Sequence, residues 1–206
     1  GRVAFLRAPA GAASRLIAAL HGVCTPPSQT CAPWARAASA AGALVCPVGD
    51  AVCDAGWGPS WEKPWTEVSA DLELAVARTM ALHPAVERRH AVLVGFSRGA
   101  YLAARIAQGH PGRWPYLIVQ EADVSLSAAA LRRAGVRAVA LFAGEWGNLV
   151  APLERTAEAL TREGFPARFV RMGRVGHDLS ADIDALMAST LAWLATFDDT
   201  TPGALH

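Results

Sequence analysis

Short runs of consecutive apolar residues alternate along the chain with longer stretches in which apolar residues recur every three or four positions. The short runs predict buried strands at 14–20 (SRLIAAL), 43–46 (ALVC), 90–96 (HAVLVGF), 116–120 (YLIVQ), 136–143 (VRAVALFA) and 167–172 (ARFVRM), with an edge strand at 2–8. The periodic stretches predict helices at 32–41, 65–82, 98–108, 125–134, 149–162 and 181–196. Between 47 and 63 the chain is rich in Gly, Pro and Trp and predicts a long loop.

Strands that alternate with helices, and are apolar on both faces, imply an α/β fold with a mostly parallel sheet covered on each side. No internal repeat or linker interrupts the pattern, so residues 1–197 read as one domain and 198–206 as a polar, frayed tail.

One junction carries candidate chemistry. Gly95-Phe96-Ser97-Arg98-Gly99 fits G-x-S-x-G, with an apolar strand before it and an Ala-rich helix after it. In that setting a sharp turn lifts the Ser97 hydroxyl above the sheet, and small residues at 95 and 99 let strand and helix approach. A serine hydroxyl becomes nucleophilic when an imidazole takes its proton. His177, in Gly176-His177-Asp178 between the last strand and the last helix, is the candidate base.

With these pieces the chain resembles the lidless α/β-hydrolases, in their carboxylesterase, dienelactone-hydrolase and polyester-depolymerase-like branches. The resemblance rests on LIAALHG (16–22), VGFSRGA (94–100), LFAGEWGNLV (141–150) and VGHDL (175–179), in the family's order. It implies a three-layer α/β/α hydrolase fold and an acyl-enzyme formed on Ser97. It also implies an oxyanion site from the backbone amides of Val23, just after His21-Gly22, and Arg98. His21 itself reads as a structural hydrogen-bonding residue beside the substrate. The chain departs from the family at the acid. The usual G-x-x-D, aligned on Gly144, puts Gly147 in the aspartate slot. Glu145 and Asn148 are the nearest candidates to orient the imidazole, and Asp123, after the preceding strand, is a third route.

Composition narrows the partners. Net charge is +1, from 19 basic and 18 acidic residues in 206, and no basic stripe favours nucleic acid. No apolar run is long enough to suggest a membrane span. All four cysteines, Cys24, Cys31, Cys46 and Cys53, fall in one segment, which suggests two disulfides and a periplasmic or extracellular setting. The first residue is Gly1 rather than Met, which reads as a mature or trimmed form, with room for a leader to have been removed. Equal spacings make Cys24–Cys31 with Cys46–Cys53 the simplest pairing, with the other two pairings open. A disulfide at Cys24 would sit directly beyond the oxyanion loop.

The cysteine spacings do not suit zinc, and no metal or other cofactor is expected. Trp57, Trp61 and Trp65 recur in or near the long loop, and Trp146 flanks the acid slot. Trp57 and Trp146 are candidate walls for a small-molecule or polymeric ester; the competing expectation is that the tryptophans cap the core. The function expected is ester or related acyl hydrolysis. A pseudoenzyme without an acid, or an acyltransferase, would use the same fold.

Overall fold

The computed structural model describes residues 5–54 and 58–199. Arg2 to Ala4 of the expected edge strand, Trp57 and the tail from residue 200 lie outside the described residues. The elements run β1 (Phe5–Arg7), β2 (Arg15–Leu20), α1 (Pro27–Cys31), a 3-10 turn (Ala32–Trp34), α2 (Ala35–Ala41) and β3 (Gly42–Cys46). Then come β4 (Ala51–Val52), β5 (Pro59–Ser60), α3 (Trp65–Leu82), β6 (Glu87–Phe96), α4 (Arg98–Gly109) and β7 (Tyr116–Gln120). The chain continues through α5 (Ala128–Arg133), β8 (Ala138–Gly144), α6 (Val150–Arg162), β9 (Ala167–Met172) and α7 (Ile183–Ala195).

Seven strands form one sheet in the order β1-β3-β2-β6-β7-β8-β9. Every pairing is parallel except the edge pair of β1 with β3. The central strands β2, β3, β7 and β8 and the 91–96 half of β6 are buried throughout because both sheet faces are covered there. Leu16, Ala18 and Leu20 pack with Val68, Leu72 and Val76 of α3 and with α4, α5 and α6. Ile17 and Ala19 point the other way, onto Trp34, α2 and the Ile183, Met187 and Leu191 stripe of α7. Residues four apart on each helix make these stripes, as the helical period requires. Leu72 is fully buried in the larger cluster, so truncating it to Ala would cost about 2–5 kcal/mol.

β2 has its sequence successor β3 on one side and β6 on the other. The order of the chain therefore reverses between β2 and β6. Crevices at such a reversal, beyond the carboxyl ends of the strands, are where open α/β sheets bind ligands. Leu20 pairs with Gly95, so His21-Gly22 and Phe96-Ser97 leave adjacent strand ends together.

Three expectations need correction. The disulfides are Cys24–Cys53 and Cys31–Cys46, not the equal-spacing pairs. The packing of β3 beside the α1 region draws Cys46 onto Cys31 inside the core, and the 47–63 excursion folds back to bring Cys53 to Cys24. That excursion is not featureless, since β4 and β5 pair as a small antiparallel ribbon. The tail does not fray at Asp198. Its carboxylate takes Arg15 Nη2 at 2.6 Å and the Tyr116 hydroxyl at 2.8 Å, and its carbonyl takes Arg137 Nη1 at 2.8 Å.

Candidate active site

The 95–99 turn is built by close approach. A Cβ at Gly99 would stand 2.2 Å from the Leu20 carbonyl oxygen, and one at Gly95 would stand 2.4 Å from the Gly99 carbonyl oxygen. Only glycine lets α4 press this tightly against β2 and β6. Ser97 caps α4 with φ 52° and ψ −120°, a left-handed conformation that non-glycine residues adopt at a cost. Its amide donates to the Gln120 carbonyl at 2.8 Å, which fixes the strained turn to the neighbouring strand.

His177 Nε2 lies 2.8 Å from Ser97 Oγ. Its other nitrogen, Nδ1, lies 3.3 Å from Glu121 Oε2, and the Glu121 side chain is 1% exposed. With a carboxylate on the Nδ1 side, the neutral ring carries its proton there and leaves Nε2 to accept from the serine hydroxyl. The other carboxylate oxygen of Glu121 accepts from the Gly144 amide. Burial pushes the Glu121 carboxyl above its usual range, while the Gly144 amide and His177 pull it back down.

Glu121 is thus the carboxylate facing the imidazole, and it is a residue the sequence reading passed over. Glu145 and Asn148 both sit exposed on the loop after β8. Asp123 lies two residues beyond Glu121 and is also exposed. The route from the strand before β8 was the relevant one, but the residue is the first after β7 rather than the third. A Cβ built at Gly147, the empty aspartate slot, would stand 3.8 Å from Glu121 Oε2. The carboxylate from β7 therefore fills the space that a side chain at 147 would reach. A usable signal was in the sequence: an acid directly following the apolar run YLIVQ, on the strand next to the elbow strand.

The loop after β2 is fixed from below. His21 is fully buried and stacked on Trp61, ring centroids 4.5 Å apart. The Gly49 amide donates to His21 Nε2 at 2.8 Å, so Nδ1 carries the proton and donates to the Gly22 carbonyl at 2.6 Å. Burial lowers the His21 pKa against the opposing pull of that carbonyl, so the ring stays neutral. In a planar trans peptide the carbonyl and the next N–H point oppositely. The Val23 N–H is therefore turned away from His21. Gly22 packs on the elbow, where its Cβ would meet Phe96 Cδ1 at 3.1 Å and Ser97 Cβ at 3.4 Å. Arg98 opens α4, where backbone amides have no carbonyl a turn earlier to receive them.

A cavity of about 260 Å³ lies over Ser97, with Gly22, Val23, Phe96, His177 and Leu179 in its walls. His21 and Trp146 are not among the residues that line it. His21 lies beneath the loop, and Trp146 is 70% exposed with its amide on the Val175 carbonyl at 2.9 Å. Trp34 and Trp61 are core residues, as the capping expectation has it. Among the described residues no cluster of His, Cys, Asp or Glu could hold a metal, and no helix is long and apolar enough to cross a membrane.

Neither a protein-family model nor a curated protein matches the sequence. Solved structures resemble the chain in fold. Esterase PE8 superposes with a TM-score of 0.68 at 20% identity, covering 95% of this chain and 97% of that one. A lipase in its open form reaches 0.70 at 12% identity, covering 95% and 94%. The Bacillus cereus carboxylesterase reaches 0.65 at 12% identity, again covering 95% and 94%. Sheet order, elbow and these full-length likenesses together establish that the chain has the α/β-hydrolase fold.

Proposed function

We propose that the chain is a serine hydrolase that cleaves a carboxylic ester through an acyl-enzyme on Ser97. The observation that carries this reading is the 2.8 Å contact of Ser97 Oγ with His177 Nε2, backed by buried Glu121 on the far side of the ring. Ser97 attacks the carbonyl carbon as His177 takes its proton. Glu121 holds the ring in the required tautomer and stabilises the imidazolium; the 3.3 Å contact shortens as that charge forms. The amides of Val23 and Arg98 receive the oxyanion. His177 then protonates the leaving alcohol, and a water activated by the same imidazole releases the acid. His177 is 54% exposed, so water reaches the acyl-enzyme without a lid movement.

Glu121 supplies the carboxylate that the Gly147 slot lacks, the gap that left a pseudoenzyme reading open. The small cavity suits a short acyl or alcohol portion, with any larger part of the ester outside it. Two disulfides fit an oxidising compartment, periplasmic or extracellular. Turnover of p-nitrophenyl acetate, with stoichiometric labelling by a fluorophosphonate, tests the reading. Both should vanish in Ser97→Ala, and an unlabelled wild-type protein would remove the proposal.

A further inference from the structure

The long 47–63 excursion grips residues 21–24 from four directions. The Gly49 amide holds the His21 ring, Trp61 Nε1 donates to the His21 carbonyl at 2.8 Å, and Cys53 is bonded to Cys24. Gly58 lies so close that a Cβ there would meet the Cys24 carbonyl oxygen at 2.7 Å. Asp50 closes the base of the excursion by accepting from the Glu62 and Lys63 amides at 3.1 and 2.8 Å. The excursion is therefore a brace behind the loop that carries Val23, while among the described residues the walls of the cavity over Ser97 come from other segments.

Backbone strain points to the same place. Among the described residues, the non-glycine residues with positive φ are Cys24 (55°), Ser97 (52°) and Glu121 (54°). Two of these belong to the proposed catalytic set. The third follows Val23 directly. Such conformations persist where the surroundings over-determine them. For Cys24 the local constraints are the Thr25 hydroxyl on the Val23 carbonyl at 3.0 Å, the Gly58 contact and the disulfide.

We propose that the Cys24–Cys53 disulfide is a positioning element of the active site, holding the Val23 amide where it receives the oxyanion, so that opening this bond removes catalysis while leaving the fold intact. The inference rests on the hydrolase reading. The second disulfide has a different task. Cys31 and Cys46 are fully buried in the core, whereas Cys24 and Cys53 are only partly covered. A thiolate must reach a sulfur to exchange with it, so the exposed bond opens first. In that step a dithiol such as dithiothreitol gives up two electrons and two protons. It becomes a cyclic disulfide, and Cys24 and Cys53 become thiols.

The test is mild dithiothreitol treatment of the native enzyme, followed by alkylation and mass counting. The expected product carries two alkyl groups, on Cys24 and Cys53. Its kcat for p-nitrophenyl acetate falls about 10²-fold or more, the size of losing one oxyanion donor, with KM moving less than about threefold. The midpoint of the pH–rate profile stays in place because His177 and Glu121 are untouched. The circular dichroism spectrum is unchanged, and reoxidation restores turnover. The Cys24→Ser/Cys53→Ser double variant should show the same split between kcat and KM. If opening this bond leaves kcat within about twofold, or lowers it only together with loss of the folded spectrum, the inference is overturned. If the oxidised enzyme shows no Ser97-dependent turnover, the hydrolase reading itself fails, which is a separate result.

Discussion

Ser97 and Glu121 stand side by side, each one step past the last paired rung of its strand, where Phe96 faces Gln120. Both leave the sheet through a left-handed turn, and the Ser97 amide donates to the residue before Glu121. The carboxylate facing His177 thus comes from the strand next to the Ser97 strand rather than from β8. Glu121→Gln keeps an oxygen for Gly144 but presents an NH₂ to His177 Nδ1, which favours the wrong tautomer. We expect kcat for p-nitrophenyl acetate to fall about 10⁴-fold. Glu145→Gln and Asn148→Ala should stay near wild type in the same assay.

The geometry of slot 147 gives a rescue experiment. Glu121→Ala removes the carboxylate, and Gly147→Asp introduces one from the loop whose Cβ faces the vacated space. The double variant should recover at least about tenfold of the kcat lost in Glu121→Ala, within the range that an orienting acid contributes. Equal rates in the single and double variants would show that 147 does not address the His177 ring.

Stability should move opposite to activity at Glu121. Burial raises its pKa in the folded chain above the unfolded value, so the folded form retains the proton to higher pH. As pH rises through the carboxylate range, ionising this group subtracts stability. Glu121→Gln should therefore raise Tm at pH 8 and leave it unchanged at pH 3, read by thermal melts at the two values.

Glu73 makes the reverse case. Burial pushes its carboxyl up, but hydrogen bonds and charges from Arg113 and Arg88 outweigh that and hold it at about 2. A depressed carboxylate adds stability that is complete above its unfolded pKa and lost as pH falls toward 2. Because Glu73 ties α3 to β6 and to the segment before β7, Glu73→Gln should lower Tm at pH 7. The gap between variant and wild type should narrow as pH falls toward 2, where half of the folded molecules carry a protonated Glu73.

Asp198→Ala should leave the Arg15 guanidinium, 8% exposed, without its carboxylate. Breaking a largely buried pair on one side costs about 3 kcal/mol. Chemical denaturation would show this as a lower midpoint with an unchanged slope, and p-nitrophenyl acetate turnover below the transition should be unaltered.

Periodicity and motif carried most of the fold. The strands at 116–120 and 167–172 and the helix at 65–82 follow directly from runs and stripes, because each buries its apolar residues locally. The G-x-S-x-G turn and the histidine before α7 were legible for a similar reason: their roles attach to short, contiguous segments. Glu121 was not, because its role depends on strand register, a relation between β6 and β7 that neither segment displays alone. The disulfide pairing failed likewise. It is set by how the 47–63 excursion returns to residue 24, and equal spacing carries no information about that. Asp198 looked like tail because its anchors, Arg15, Tyr116 and Arg137, come from distant positions.

The reversal of chain order between β2 and β6 bears on how the protein becomes active as it folds. β2 cannot complete its ladder until residues 87–96 have been threaded beside it, and Ser97, the proposed nucleophile, lies just past that late rung. Parallel pairings across such distances give a high contact order and slow refolding. Recovery of turnover after dilution from denaturant should therefore trail recovery of helical signal, which makes the reaction itself a late clock for completion of the sheet.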